Sequence, residues 1–314
     1  MKSLEQLLEF YRANLLEELG LLELQRRRIR NVITAMIIVG ALGLAGSIGV
    51  GAAGIIPPWA AALTAIGAIA GAVIVGAKTF AAFRARYKSQ VIAPIISFLD
   101  PSFTYDPEAH LGKNELLDCA LFPEKASMLS GEDLITGKLE GRAFRVSEIM
   151  LRGKESRADK ETTHEYFHGL FLALSLGRTI GARVWLRTPG APLTAEEDIQ
   201  QKLEEHFLAL GEAARFRERD ESLELEVRAE DIEVALDTLT LELADRMRAF
   251  AARQGGRVYG AFVGEHFYLA AESQNDYFEP SVWNKLVSRE DIESFHADFE
   301  AFLAAAAAAI PGER

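Results

Sequence analysis

Between Asn31 and Ala77 the chain carries no charged side chain, and only Asn31, Thr34, Ser47 and Thr64 place polar side chains in an otherwise apolar run. A hydrocarbon layer of ~30 Å needs ~20 apolar residues in a helix, so the block is long enough for two crossings. The stretch GIIPPWAAAL divides it. Pro57 and Pro58 withdraw two backbone donors and end a helix, and Trp59 suits the headgroup level of a bilayer. The pattern predicts one span over residues 32–56 and a second over residues 59–77. A largely polar segment precedes the block and a second span follows the first at once, which is not the layout of a cleavable leader. The alternative, a buried helical hairpin in a soluble protein, would need other protein on every face of both helices.

Upstream, Leu4, Leu8, Tyr11, Leu15, Leu19 and Leu22 recur three or four positions apart, the spacing of an amphipathic helix. It is expected to lie on the rest of the protein or on a membrane surface, with a short coiled coil as the alternative. Arg26, Arg27, Arg28 and Arg30 precede the first span, and Lys78, Arg84, Arg86 and Lys88 follow the second. Basic flanks stay on the cytoplasmic side, so both termini are expected there. Gly40, Gly43, Gly46 and Gly49, with Gly67 and Gly71, would let helix backbones approach closely. Packing of the two spans on each other explains that spacing, and so does a homo-oligomer formed through the transmembrane or N-terminal helices.

KTFAAFRARYKSQVIAPIISFL continues as a helix, which Pro94 and DPSFTYDP break. DLITGKLEGRAFRVSEIML reads as two strands joined at Glu140-Gly141, with Phe144, Val146 and Met150 alternating against Arg145, Ser147 and Ile149. A helix is predicted from Thr194, boxed by Glu197, with Ile199, Leu203, Phe207 and Leu210 repeating behind it. LELEV is a short strand, and one helix is predicted over residues 230–254. RVYGAFVGEHFYLAAE turns as a hairpin at Gly264-Glu265. A last helix starts at Ser288, capped by Asp291, with Phe295, Phe299, Phe302 and Leu303 on one stripe. Strands and helices without strict alternation argue for an α+β fold with antiparallel strands. Three segments follow: an amphipathic cytoplasmic helix over 1–30, two transmembrane helices over 31–83, and a cytoplasmic α+β domain over 84–314.

The net charge of −12 conceals an asymmetry, because residues 89–314 hold 24 Lys and Arg against 41 Asp and Glu. So acidic a domain repels phosphate backbones, which argues against nucleic acid as a partner. Cys119 is the sole cysteine, so no internal disulfide can form, and a reducing compartment fits.

HEYFHG, from His164 to Gly169, contains H-E-x-x-H. On a helix, His164 and His168 would share one face and could bind one zinc ion, with Glu165 as the general base. On a strand of regular alternation the two imidazoles would also share a face, but ~13 Å apart at ~3.3 Å per residue, too far for one ion. The β-branched ETTHE before the string, Gly169 within it and the almost continuously apolar YFHGLFLALSLG after it favour a strand buried on both faces. Glu196, Glu197 and Glu204 are candidate third ligands, though they belong to an acidic amphipathic helix. His110 and Cys119 lack an orienting partner, so a buried thiol and a surface histidine are expected rather than a catalytic dyad. Glu132 and Asp133 in SGEDLITG suit a solvated turn that could take a cation.

RYKSQVIAPIISFLDPSFTYDP, LFPEKASMLSGEDLITGKLEG with FRVSEIML, YFHGLFLALSLGRTIGARVWL and DYFEPSV occur in that order from Tyr87 to Val282. In this the chain resembles a family of uncharacterised bacterial membrane proteins carrying domain of unknown function 3137. The resemblance implies a strand at His168, a position where arginine is usual, and a variable loop around His164. It transfers no activity, substrate, cofactor or catalytic residue. The expectation is therefore a bacterial inner-membrane protein with two spans, whose cytoplasmic domain binds or scaffolds a protein partner, with no catalytic, cofactor or metal residue assigned. A membrane-anchored zinc peptidase using His164, His168 and Glu165 is the alternative.

Overall fold

The computed structural model describes residues 1–52, 57–157, 160–190, 192–193, 196–214, 225–273 and 278–310. It divides into two compact units, one of residues 5–95 with 278–292, the other of residues 1–4, 96–277 and 293–314. These cut the chain differently from the three segments drawn from its sequence.

In the first unit, α1 (Leu4–Phe10) passes through a π turn at Tyr11–Leu15 into α2 (Leu16–Ala52), with no break at residue 30. The predicted stripe is real: Leu8, Tyr11, Leu15, Leu19 and Leu22 are buried, and Ile29 extends the series. Its outer half is the opposite, with Ile37, Ile38, Val39 and Leu42 more than half exposed. α3 (Pro58–Tyr87) packs along α2. Proline serves here as a starter, since a residue at the first helical position has no use for its N–H. A second π turn at Lys88–Ile92 leads to α4 (Ala93–Leu99), which lies mostly in the other unit.

One helix among the described residues, Leu4–Gly46, is long and apolar enough to cross a membrane. Of the expected transmembrane pair, one candidate span is thus found among the described residues. The first expected span runs on into residues 53–56, outside the described ones. The second falls within α3, where side chains at 61, 64–65, 68–69 and 72–75 also lie outside them.

The other unit holds a sheet of nine strands among the described residues, every pairing antiparallel, in the order β1-β2-β3-β4-β9-β8-β5-β7-β6. Its strands are β1 (Thr104–Asp106), β2 (Met128–Leu139), β3 (Arg142–Arg157), β4 (Lys160–Ser175), β5 (Val184–Arg187), β6 (Glu212–Ala214), β7 (Glu226–Ala229), β8 (Val258–Val263) and β9 (His266–Glu272). Together with its helices this is the expected α+β fold. Both predicted hairpins form: Glu140 and Gly141 take positive φ angles of 49° and 79°, and Val263 pairs with His266 across Gly264.

Helices α5 (Lys113–Asp118) and α6 (Glu197–Ala209) cover one face of the sheet. There Leu116, Ile199, Leu203 and Phe207 join Ile149, Leu151, Phe167 and Phe171 in a single core. Thr194, the expected cap of α6, lies outside the described residues. The opposite face is filled by aromatic contacts: Phe103 meets Phe144 and Phe299 edge-on, with centroids 5.2 and 6.3 Å apart, and Phe250 meets Phe302 at 5.2 Å. β4 is therefore buried on both sides, as its unbroken apolar run predicts.

The single helix predicted over 230–254 is two. α7 (Ile232–Thr238) is capped by Asp231, and α8 (Leu241–Gln254) begins where Thr240 Oγ1 accepts the Leu243 amide at 3.1 Å. A threonine so placed ends one helix and starts the next. α9 (Arg289–Ala307) carries the predicted cap, with Ser288 and Asp291 bonding each other's amides at 2.7 and 3.2 Å.

Candidate functional site

His164–His168 lies wholly within β4. The register to β3 shifts at Tyr166: Leu151 pairs with Phe167, whereas Arg152 pairs with Glu165. This β-bulge breaks the alternation of side chains. His164 stands opposite Gly153 and His168 opposite Met150, so the two imidazoles leave on opposite faces of the sheet rather than the shared face that regular alternation predicts. Their partners differ accordingly. His164 Nδ1 contacts the Glu196 carboxylate at the start of α6, and His168 Nε2 lies 3.1 Å from Glu148 Oε1. Glu165 leaves on the His168 side and faces Arg152 at 4.0 Å.

Glycine makes this local geometry possible. At Gly153 a Cβ would lie 2.5 Å from the Lys125 carbonyl and 2.7 Å from the Tyr166 ring. Gly169, with φ +151°, would bring a Cβ to 2.1 Å from the Ala271 carbonyl, so only a bare backbone can join β9 there.

Of the remaining sequence candidates, Glu132 and Asp133 bring carboxylate oxygens within 4.8 Å of each other. His110 Nδ1 bonds the Leu111 carbonyl at 2.7 Å. Cys119 is fully buried, its Sγ 3.1 Å from the Leu116 carbonyl, and burial pushes its thiol up to about 12. Asp133 belongs to an irregularity within β2, not to a solvated turn: it is buried, has φ 62°, and accepts the Tyr105 hydroxyl. Glu132 stands opposite Glu148. Glu197 is exposed in the first turn of α6. Glu204 is engaged by Arg187, whose guanidinium makes bonds of 2.6 and 2.8 Å to it and lies 4.1 Å over the Phe207 ring. That pairing holds the Glu204 carboxyl below its usual range.

A site that the sequence did not assign lies within the helical unit, where residues 278–287 run against α2 and α3. Arg26 occupies a position of the buried stripe between Leu22 and Ile29, with only 2% of its surface exposed. It donates to the Val282 carbonyl at 2.6 Å and to both Glu23 oxygens at 2.7 and 2.8 Å. Lys88 Nζ and Arg84 lie 2.8 and 3.3 Å from the Glu279 carboxylate, and Tyr11 donates to the Val287 carbonyl at 3.1 Å. A cation in an apolar stripe is costly unless paired, so Arg26 in step with Leu22 and Ile29 was the signal available in the sequence. Beyond these bonds opens an apolar groove of about 750 Å³, lined by Ile37 and Ala41 of α2, Gly76 and Phe80 of α3, and Val282 and Trp283. Ser281 Oγ holds this part of the lining by accepting the Trp283 and Asn284 amides at 3.2 and 3.1 Å. Such walls can hold an apolar chain.

No curated protein matches the chain. Among solved structures, the crystal structure of the mycobacterial trehalose monomycolate transport factor A, TtfA, is similar at 14% identity and a TM-score of 0.32, over 74% of this chain and 97% of that one. Residues 165–307, from within β4 to the end of α9, match the family described as Protein of unknown function (DUF3137).

Proposed function

We propose that the protein is a membrane-anchored binding module. The observation that carries this is the Leu4–Gly46 helix, in whose most apolar window only 6% of residues are buried by the rest of the protein. Water does not tolerate such a surface, and a hydrocarbon layer does. α2 and α3 form two spans in a bacterial inner membrane, and the basic residues at Arg26–Arg30 and Lys78–Lys88 keep both termini cytoplasmic. The sheet unit then binds a protein partner in the cytoplasm, and its acidity disfavours nucleic acid. Binding without a resident metal is preferred to zinc hydrolysis because the imidazoles of His164 and His168 sit on opposite faces of β4.

Alkaline extraction of membranes, with an impermeant maleimide applied to a Trp59→Cys variant, tests the anchoring. The protein should stay in the pellet and be labelled at residue 59 from outside, with terminal tags protected. Release into the supernatant, or labelled termini, overturns it. Co-purification from native membranes then identifies the partner.

A further inference from the structure

The apolar groove of the helical unit has features that select among occupants. Its walls come from the outer half of α2 and the last turns of α3, the part of the molecule that carries exposed Ile38, Val39 and Leu42. It therefore opens where a bilayer would place hydrocarbon. Trp283 also lines it and is 59% exposed, although its amide is held by the Ser281 hydroxyl. Indole rings favour the boundary between headgroups and acyl chains. Basic residues flank the lining in sequence: Arg30 precedes Ile33 of the groove by about one helical turn, and Lys78 directly follows Ala77. The groove volume is in the range of small-molecule pockets. Apolar walls, an indole in the lining and flanking basic residues match the two halves of one amphiphile.

We propose that this groove binds an acyl chain of an anionic phospholipid, with the phosphate headgroup at the Arg30 and Lys78 rim. This rests on the membrane-anchored reading, and Trp283 and Val282 hold the lipid at a fixed depth. Residues 278–287 are then a clasp, tied down through Arg26, Lys88 and Tyr11 so that its apolar end faces the chain.

The full chain, reconstituted in vesicles, can be photolabelled with phosphatidylglycerol carrying a diazirine in one acyl chain. Flotation of the vesicles first shows whether the protein is in the bilayer, so failure of anchoring is seen separately. Labelling should concentrate on Ile33, Met36, Ile37, Ala41 and Leu44 of α2 and on residues 76–80 and 282–283, severalfold above the exposed Ile38–Val39 face. Gly76→Leu fills the groove from a position where a Cβ meets nothing within 4 Å. It should lower groove labelling at least fivefold and leave Ile38–Val39 labelling unchanged, with the helical circular dichroism preserved. Phosphatidylcholine with the same chains should label the groove less, and Lys78→Gln with Arg30→Gln should remove the difference. Equal labelling of groove and outer face, insensitivity to Gly76→Leu, or a crosslink that places a second copy in the groove overturns the proposal. Equal labelling by the two headgroups overturns the anionic assignment.

Discussion

Lys88 Nζ lies 2.8 Å from the Glu279 carboxylate, and the two side chains are only 3% and 14% exposed. Removing one member of a shielded pair leaves the other charge uncompensated, at a cost of about 3–5 kcal/mol when burial is complete. Lys88→Met should therefore lower the thermal midpoint of the detergent-solubilised protein and expose residues 278–287 to protease. Lys88→Met combined with Glu279→Leu should regain much of that loss. If the double variant is as unstable as the sum of the two single ones, the pair is not coupled.

The junction of β4 and β9 depends on one hydrogen atom. Gly169→Ala would drive a methyl group to 2.1 Å from the Ala271 carbonyl, which places it among the exceptional substitutions, on the order of 4 kcal/mol or more. Gly264→Asn is the control: φ there is also positive, at 58°, but the space is open, and asparagine tolerates that conformation. Expression level and thermal midpoint should fall sharply for the first and little for the second.

Two carboxylates should tilt the pH dependence of stability in opposite directions. Glu272 accepts the Leu193 and Arg257 amides and the Tyr259 hydroxyl at 2.9, 3.2 and 3.1 Å, yet burial raises its pKa above the ordinary 4.5. A raised carboxyl favours the fold most below its unfolded value, and that contribution is lost as pH rises through the folded value. Glu204, lowered by Arg187, contributes above about 4.5 and loses its contribution as pH falls through its folded pKa. In unfolding curves measured at a series of pH values, Glu272→Gln should flatten the decline above pH 4.5, and Glu204→Gln should flatten the decline below it.

Zinc analysis tests the H-E-x-x-H string directly. With His164 and His168 on opposite faces, purified protein should hold no near-stoichiometric zinc, and His168→Ala should not change its metal content. Zinc near one per chain, lost in His168→Ala, would restore the peptidase reading.

Much of the fold could be read from residue order because the local signals were strong. Glu140-Gly141 and Gly264-Glu265 are turn chemistry between alternating runs, Ser288 with Asp291 is a helix cap, and the unbroken apolar stretch of β4 announced burial on both faces. What could not be read depends on the partner strand or on competition between neighbouring signals. The extra residue at Tyr166, which turns His168 away from His164, exists only in the register with β3. Asp133 looked solvated because its sequence is polar, whereas β2 folds it inward onto Tyr105. The break between α7 and α8 was present in Thr240 but masked by helical periodicity on both sides. The clasp at residues 278–287 was visible only as a motif, because its role depends on cations more than 190 positions away in the chain.

β1 is three residues long and is followed at once by Pro107. That rim of the sheet offers few free amides on which another strand could build. On the membrane-anchored reading, tethering confines copies to a plane, where encounters are frequent and orientations already aligned. There a blunt margin keeps neighbouring molecules from zipping together into fibres.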